Sequence, residues 1–329
     1  MLLRKVTLIF GKIWNSCPAN SSKVDCNELP LNSFIPKQTF MKTVLLIFPL
    51  LSFIIISFTT SEKLDKQIKK SLSKTMSFVP SGNVYVNDSL KSVQSFYISK
   101  TEVSNSEYKL FLNELKLSGD LEKLAIAQID SLKWNLGGSN NMAYVDYYFS
   151  HPAYKDYPVV NVSYEAALLY CDWLTAKFNK QFGTTKFKFR LPTKEEFVRA
   201  GRGDNQSAGY AWGTNKLRNA NGQLMCNHLQ IGAESIHRNP STGKFEIIPV
   251  FDDFASAGSD VTAPVKSYWP NQFDVYNLNG NVAEMLSTKG IAIGGAWRNT
   301  GYDVRLESET LYTEVAPTIG FRVITTWVE

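Results

Sequence analysis

The chain has 329 residues, 44% of them hydrophobic and 13% aromatic, with a formal net charge of +5. Such a length suits one large domain or two small ones, with apolar residues enough for a sizeable core. Lysine and arginine are scattered rather than clustered, which argues against a nucleic-acid partner, and the aromatic content favours a loop-rich fold over a plain helical bundle.

Residues 1–40 have no clear periodicity and read as a doubtful N-terminal extension. Met41-Lys42-Thr43 is followed by "VLLIFPLLSFIIISF" and then small and polar residues, the layout of a secretory signal peptide over residues 41–61. The apolar run is about 15 residues long, shorter than the roughly 20 of a full span. An uncleaved signal anchor, holding the protein at the membrane, is the alternative. The protein is thus expected to be exported, to the periplasm or outer cell envelope. Without the leader's Cys17 and Cys26, only Cys171 and Cys226 remain. They are either one disulfide or two small buried thiols. No cysteine directly follows the apolar run, so lipid attachment there is not supported.

Residues 62–76 are charged and polar, a linker or a short amphipathic helix, and the main domain is expected over 77–329. Phe78-Val79-Pro80, Val84-Tyr85-Val86 and Phe96-Tyr97-Ile98 read as strands. Ser104 and Glu107 form a capping box, followed by Tyr108, Phe111, Leu112 and Leu115 at helical spacing. Residues 118–150 read as an inserted loop with short helical pieces. Val159 to Val162 reads as a strand, Ser163 as an N-cap, and Ala167, Tyr170, Cys171, Leu174 and Phe178 share one helix face. Arg190-Leu191-Pro192 is extended, and Thr193 to Glu196 is a second capping box on a helix that stops at Gly201. Residues 203–265 are mostly loop with short strands, a stretch that needs pinning. Ile291 opens a buried strand, and Gly320 to Val323 returns to strand.

Seven segments in order resemble the formylglycine-generating enzyme family, also called sulfatase-modifying factor domains. They are "FYISKTEVSNSEYKLFL", "YPVVNVSYEAALLYCDWL", "RLPTKEEFVRAGRG", "YAWG", "TAPVKSYWPNQFDVYNLNGNVAEM", "GGAWRN" and "GFRV", spread over about residues 77 to 325. The resemblance implies a compact, irregular, loop-rich α+β fold related to C-type lectins. "YFSHPAYKDYPVVNVSYEAA" is more loosely similar to the gliding-motility and secretion lipoproteins of that family.

Family enzymes oxidise a substrate cysteine with two cysteines of their own that bind copper. Soft thiolates suit Cu(I), and carbon or amide side chains do not replace them. Counting from Gly294-Gly295, the corresponding positions are Asn299 and Val304, and the family's serine is Ala296. The Gly-Asn-x-Trp-Glu-Trp signature reads Gly280-Asn281-Val282-Ala283-Glu284-Met285, losing both tryptophans, while the arginine after the second cysteine is kept as Arg305. No copper is expected. His151, His228 and His237 show no ligand spacing, His151 reads as a hydrogen-bonded surface residue, and His228 and His237 flank a loop.

The resemblance also implies a calcium site, with Asn277 and Glu284 as side-chain ligands and Gly280 and Val282 as carbonyl ligands. Hard oxygens suit Ca²⁺. An Asn-Gly turn with Glu284 in a salt bridge is the plainer reading. A second site near Asn227, with Asp252, Asp253 or Asp260, stays open. Arg322 reads as a structural ion pair. Trp297, Arg298, Tyr302 and Arg305 are candidates to line a vestigial groove, since aromatic and arginine side chains are common anchors. The expectation is a non-catalytic domain acting as an envelope binding or assembly component with envelope protein partners, in gliding motility or secretion. The alternatives are an oxidoreductase of this fold with unrecognised chemistry and a calcium-dependent, lectin-like ligand binder. Open space between Asn299, Val304 and Ala283 would favour the alternatives, and a groove filled by Trp297 would favour the scaffold.

Overall fold

The computed structural model describes residues 63–136, 141–230, 236–247 and 261–327. The leader, Cys17, Cys26, Asp252, Asp253 and Asp260 lie outside the described residues. Residues Glu62–Glu329 form one compact unit. No helix among the described residues is long and apolar enough to cross a membrane.

The segment read as a linker or amphipathic helix is a helix, α1, over 63–75. It buries Ile68 and Leu72, spaced four apart on one face, against the main core. Strand β1 (Met76–Val79) follows directly, then the hairpin β2 (Gly82–Val86) and β3 (Ser89–Val93), and β4 (Phe96–Ser99). Helix α2 (Asn105–Ser118) starts at the expected capping box: Ser104 Oγ accepts from Glu107 N, and Glu107 Oε2 accepts from Ser104 N. Gly119 ends it in the left-handed conformation, φ 73°.

The insertion carries two short helices, α3 (Leu121–Ile126) and α4 (Met142–Tyr147), with 3-10 turns at Ser131–Trp134 and Pro152–Tyr154. Helix α5 (Tyr164–Phe182) is capped by Ser163 and buries Ala166, Ala167, Tyr170, Cys171 and Phe178. After β5 (Phe187–Arg190), the second capping box opens α6 (Lys194–Arg202), which runs one residue past Gly201 to a cap at Gly203. Later come the hairpin β6 (Ile236–Arg238) and β7 (Phe245–Ile247), then β8 (Ala283–Met285), β9 (Ile291–Ile293), β10 (Glu309–Leu311), β11 (Ile319–Gly320) and β12 (Ile324–Trp327).

One sheet has the order β1-β4-β12-β5 and is antiparallel throughout. The other has the order β10-β9-β8-β11, with β11 parallel to β8. Phe96 and Ile98 of β4 face a core built with Phe197 and Ile293, while Tyr97 faces the α1 and α5 side. That alternation follows from the period of two along a strand.

Two expected strands are not continuous. Val159 to Val162 is buried but irregular, because Asn161 adopts φ 59°. Its backbone is tied elsewhere: Val159 N donates to Val103 O, and Asn161 N to Ala316 O. Gly320 to Val323 is broken after Gly320, where the chain passes from β11 in one sheet to β12 in the other. Arg322 sits at that crossing and turns its side chain fully inward.

Candidate functional site

The loop from Gly294 to Leu306 is closed from within. Gly294 and Gly295 take φ 86° and 67°. A Cβ on Gly294 would stand 2.6 Å from Leu278 O, and one on Gly295 would stand 2.4 Å from Asp303 O. Only glycine fits both the conformation and the space. Asn299 then seals the turn: Ala296 N donates to its Oδ1 at 2.8 Å, and Asn299 N donates to Ala296 O at 2.9 Å. The Asn299 carbonyl accepts from Leu229 N. Val304 is fully buried against Tyr210 and Cys226, and its carbonyl accepts from Asn279 Nδ2 at 2.6 Å. Asn299 thus acts as a turn clasp and Val304 as a core residue.

The four groove candidates separate. Trp297 is buried, donates Nε1–H to Pro317 O and lies parallel to Trp134 of the insertion, centroids 6.4 Å apart. Ala283 and Ala296 are buried beside it. Arg298 is exposed and reaches back over the Trp297 ring. Tyr302 is 70% exposed and carries the Arg305 guanidinium 3.5 Å from its ring centre. Trp297 packs with Ala283 and Ala296 in the main core, while Val304 belongs to a separate cluster with Tyr210 and Cys226.

Beneath this loop, the segment from Asn277 to Glu284 wraps round a buried charged cluster. Asn277, Gly280 and Asn281 all take left-handed φ values, and a Cβ on Gly280 would meet Asn227 O at 2.2 Å. Glu284 is 1% exposed and faces Arg322, which is 0% exposed, with Oε1 2.5 Å from Nη2 and Oε2 bonded to Nε. Arg322 also donates to Ser99 O and Tyr276 O. These bonds are the salt-bridge arrangement of Glu284 and the core ion pair of Arg322 that the sequence reading weighed. A second carboxylate, Glu102, is completely buried in the same cluster. It accepts from Asn281 Nδ2 at 2.7 Å and from Asn277 Nδ2 at 3.3 Å. Burial pushes its carboxyl up to about 8, against the lowering effect of Arg322.

The charge of this cluster turns on Glu102, whose raised carboxyl is largely protonated at neutral pH. Two buried carboxylates face one guanidinium, so full ionisation leaves one negative charge in excess. The amide of Asn277 faces the other way, because its Nδ2 donates to Glu102 and to Val265 O. Turning that amide over would present Oδ1 instead. Among the described residues no group of three or more His, Cys, Asp and Glu side chains could hold a metal, so a cation here would depend on amide and carbonyl oxygens. Nearby, Asn227 Oδ1 is buried and accepts no hydrogen bond.

Sequence reasoning missed Glu102, which sits in an unremarkable Thr-Glu-Val run just before the capping box. His228, which in sequence only flanks a loop, proves to be buried. That imidazole is 3% exposed, with Nδ1 3.5 Å from Cys226 Sγ and 3.2 Å from Cys226 O. Burial lowers the His228 imidazole and pushes the Cys226 thiol up to about 12. Cys171 and Cys226 are free, buried thiols. His151 is exposed, and its Nδ1 accepts from Ala153 N.

The sulfatase-modifying factor enzyme 1-like domain family matches residues 60–327. The chain is 26% identical over 255 residues to the formylglycine-generating enzyme of Mus musculus, covering 69% of this chain and 55% of the relative. It is 28% identical over 222 residues to that of Bos taurus, covering 59% and 49%. The chain thus spans about half the length of the curated relatives it matches. Among solved structures, the crystal structure of CarF is similar at TM-score 0.49 and 21% identity, covering 76% of this chain and 97% of CarF. PvdO from Pseudomonas aeruginosa is similar at TM-score 0.47 and 18% identity, covering 76% and 93%.

Proposed function

Because this chain belongs to the sulfatase-modifying factor enzyme 1-like domain family and has its irregular α+β fold, we propose that it is a non-catalytic member acting as a binding or assembly component of the cell envelope. The observation that carries this reading is what stands at the two positions of the loop and how each is engaged. Asn299 and Val304 stand where the family's thiols are expected, one committed to closing a turn and the other to the core. Copper chemistry of the family's kind needs two soft thiolates. Neither residue supplies one, and the neighbouring Cys226 is a buried neutral thiol.

The envelope location rests on the signal-like segment of the sequence, and the gliding or secretion role rests on the looser resemblance. Calcium is proposed as a structural ion, held by Asn277, Glu284 and the carbonyls of Gly280 and Val282. It would offset the charge that Glu102 gains on ionising and hold the 277–284 turn closed.

Two measurements test the role. Affinity purification of the protein from envelope fractions should recover envelope proteins in fixed proportion, and repeated recovery of none counts against assembly. Incubation with copper, oxygen, a thiol reductant and a cysteine-containing peptide should form no aldehyde above a protein-free control. Turnover to an aldehyde would overturn the non-catalytic assignment.

A further inference from the structure

The hairpin of β2 and β3 is a two-stranded sheet of its own, turning at Asn87 and Asp88 with φ 48° and 58°. A two-residue turn of that kind makes Val86 and Ser89 the closing hydrogen-bonded pair. In register, Val84 with Lys91 and Gly82 with Val93 are then the next bonded pairs. The backbone groups of Asn83 and Tyr85 on β2, and of Leu90 and Ser92 on β3, therefore point away from the hairpin on opposite sides.

The outward groups of β2 are covered by side chains. Tyr85 N–H donates to Gln206 Oε1, Gln206 Nε2 donates to Asn83 O, and Arg202 Nη1 donates to Tyr85 O. The edge strand β5 is closed in the same way. Thr175 Oγ1 accepts from Phe189 N–H, and the Asn179 amide takes both Phe187 N–H and Phe187 C=O. Strand β3 has no such cover. The N–H and C=O groups of Leu90 and Ser92 make no hydrogen bond among the described residues, and residues 89–92 are exposed. An open edge of this kind is a template for another strand.

Along β3, and not along β2, runs an open groove of 830 Å³. Residues 91–95 line one side, and the β5–α6 junction and the end of β12 line the other. There β12 has run past β4, which pairs no further than Thr325, and Trp327 in the far wall is 50% exposed. On the outer face of the hairpin, Leu90 stands opposite Tyr85, and both are exposed. Charge in the groove is balanced, Lys91 against Glu195 with Arg190 bound to Glu196, so it is the backbone edge that selects an occupant.

We propose that the β3 edge takes an extended peptide segment of a partner protein, which adds a third strand to the hairpin and carries apolar residues at alternate positions. Its backbone meets the free groups of Leu90 and Ser92 at the usual strand spacing of about 4.8 Å. Alternate side chains fall beside Leu90 on the outer face and towards Trp327 in the groove. A helix keeps its backbone bonds internal and leaves this edge unmatched. The surface gives the binding role proposed above a location, but it stands on the geometry of the edge and needs neither the envelope setting nor the loss of catalysis.

The test uses the purified protein and a phage-displayed library of random short peptides, selected on the wild type and counter-selected on Ser92→Pro. That substitution deletes a free N–H and no hairpin bond, which an edge strand tolerates, so the melting temperature should be unchanged. Enriched peptides should alternate apolar residues. Made synthetically, they should bind the wild type saturably in fluorescence anisotropy and the variant about tenfold or more weakly. N-methylation of one alternate set of peptide amides should abolish binding, and of the other set should not. Amide hydrogen exchange gives a second readout, which decides alone if the proline variant fails to fold. The Leu90 and Ser92 amides should be unprotected in the free protein and protected in the complex. No enrichment on the wild type, binding indifferent to Ser92→Pro, or protection confined to other segments would each overturn the proposal. Any of these leaves the non-catalytic reading standing, since that reading rests on Asn299 and Val304.

Discussion

Glu284 and Arg322 meet as a two-bond ion pair with almost no solvent contact, joining β8 of one sheet to the crossing that leads into β12 of the other. Glu102 lies in the same cluster, so removing Arg322 strands the Glu284 charge beside a second buried carboxylate, whereas removing Glu284 leaves Arg322 with Glu102. Stranding a buried charge costs about 3–5 kcal/mol. Arg322→Met should lose that order of stability in urea unfolding, and Glu284→Gln less. The double variant should lose less than the sum, since the pair is then absent as a whole. Additive losses would show that the two side chains act independently.

Glu102 is the carboxylate without a cation of its own. Glu102→Gln keeps the shape and removes the charge that Glu102 can gain on ionising. If calcium occupies the cluster, chelation should lower the wild-type melting temperature and have a much smaller effect on the variant. A wild-type melting temperature indifferent to both chelator and added calcium would remove calcium from this cluster.

Trp297 of the loop stacks on Trp134, and both are buried. Truncating either to alanine should cost about 3–5 kcal/mol, the range for deleting a buried aromatic. The two losses should be coupled, because they share one contact. Chemical denaturation of the two single variants and the double variant measures this. A loss below about 1 kcal/mol for Trp297→Ala would mean that the loop is not held by it.

His228 gives a pH dependence with a defined sign. Burial holds its imidazole below the ordinary value near 6.5, so in mildly acidic solution the unfolded chain binds a proton that the folded chain resists. This group's contribution to stability is present above that unfolded value and is lost as pH falls from about 7 towards 5. His228→Gln should flatten that part of the profile. Unfolding midpoints at pH 7 and pH 5 for both proteins decide it, and parallel profiles would contradict the assignment.

Gly280 is required by space as well as by conformation. Gly280→Ala should destabilise by more than about 1 kcal/mol, since the new Cβ meets the Asn227 carbonyl and the backbone angle disfavours L residues. Thermal unfolding is the measurement, and a neutral substitution would mean that the turn can shift.

Local chemistry was legible wherever it is written in adjacent residues. Both capping boxes, the Ser163 cap and the apolar face of α5 follow from short spacings that act through the first helical turn or along one helix stripe. The left-handed break at Asn161 was not legible, because asparagine there reads the same as asparagine in a strand. The bend after Gly320 was hidden for a similar reason. Its cause is a partner at Glu284, 38 residues away.

The order of the helices, the two glycines of the closed loop and the absence of thiols at Asn299 and Val304 follow from residue identity and near-neighbour spacing. What those two residues do instead, the place of Trp297 in the core rather than a groove, and the meeting of Glu102 with Glu284 and Arg322 follow from packing between distant segments. Burial and charge pairing depend on which distant segments are brought together, and here those segments lie far apart in the chain, 223 residues between Ser99 and Arg322.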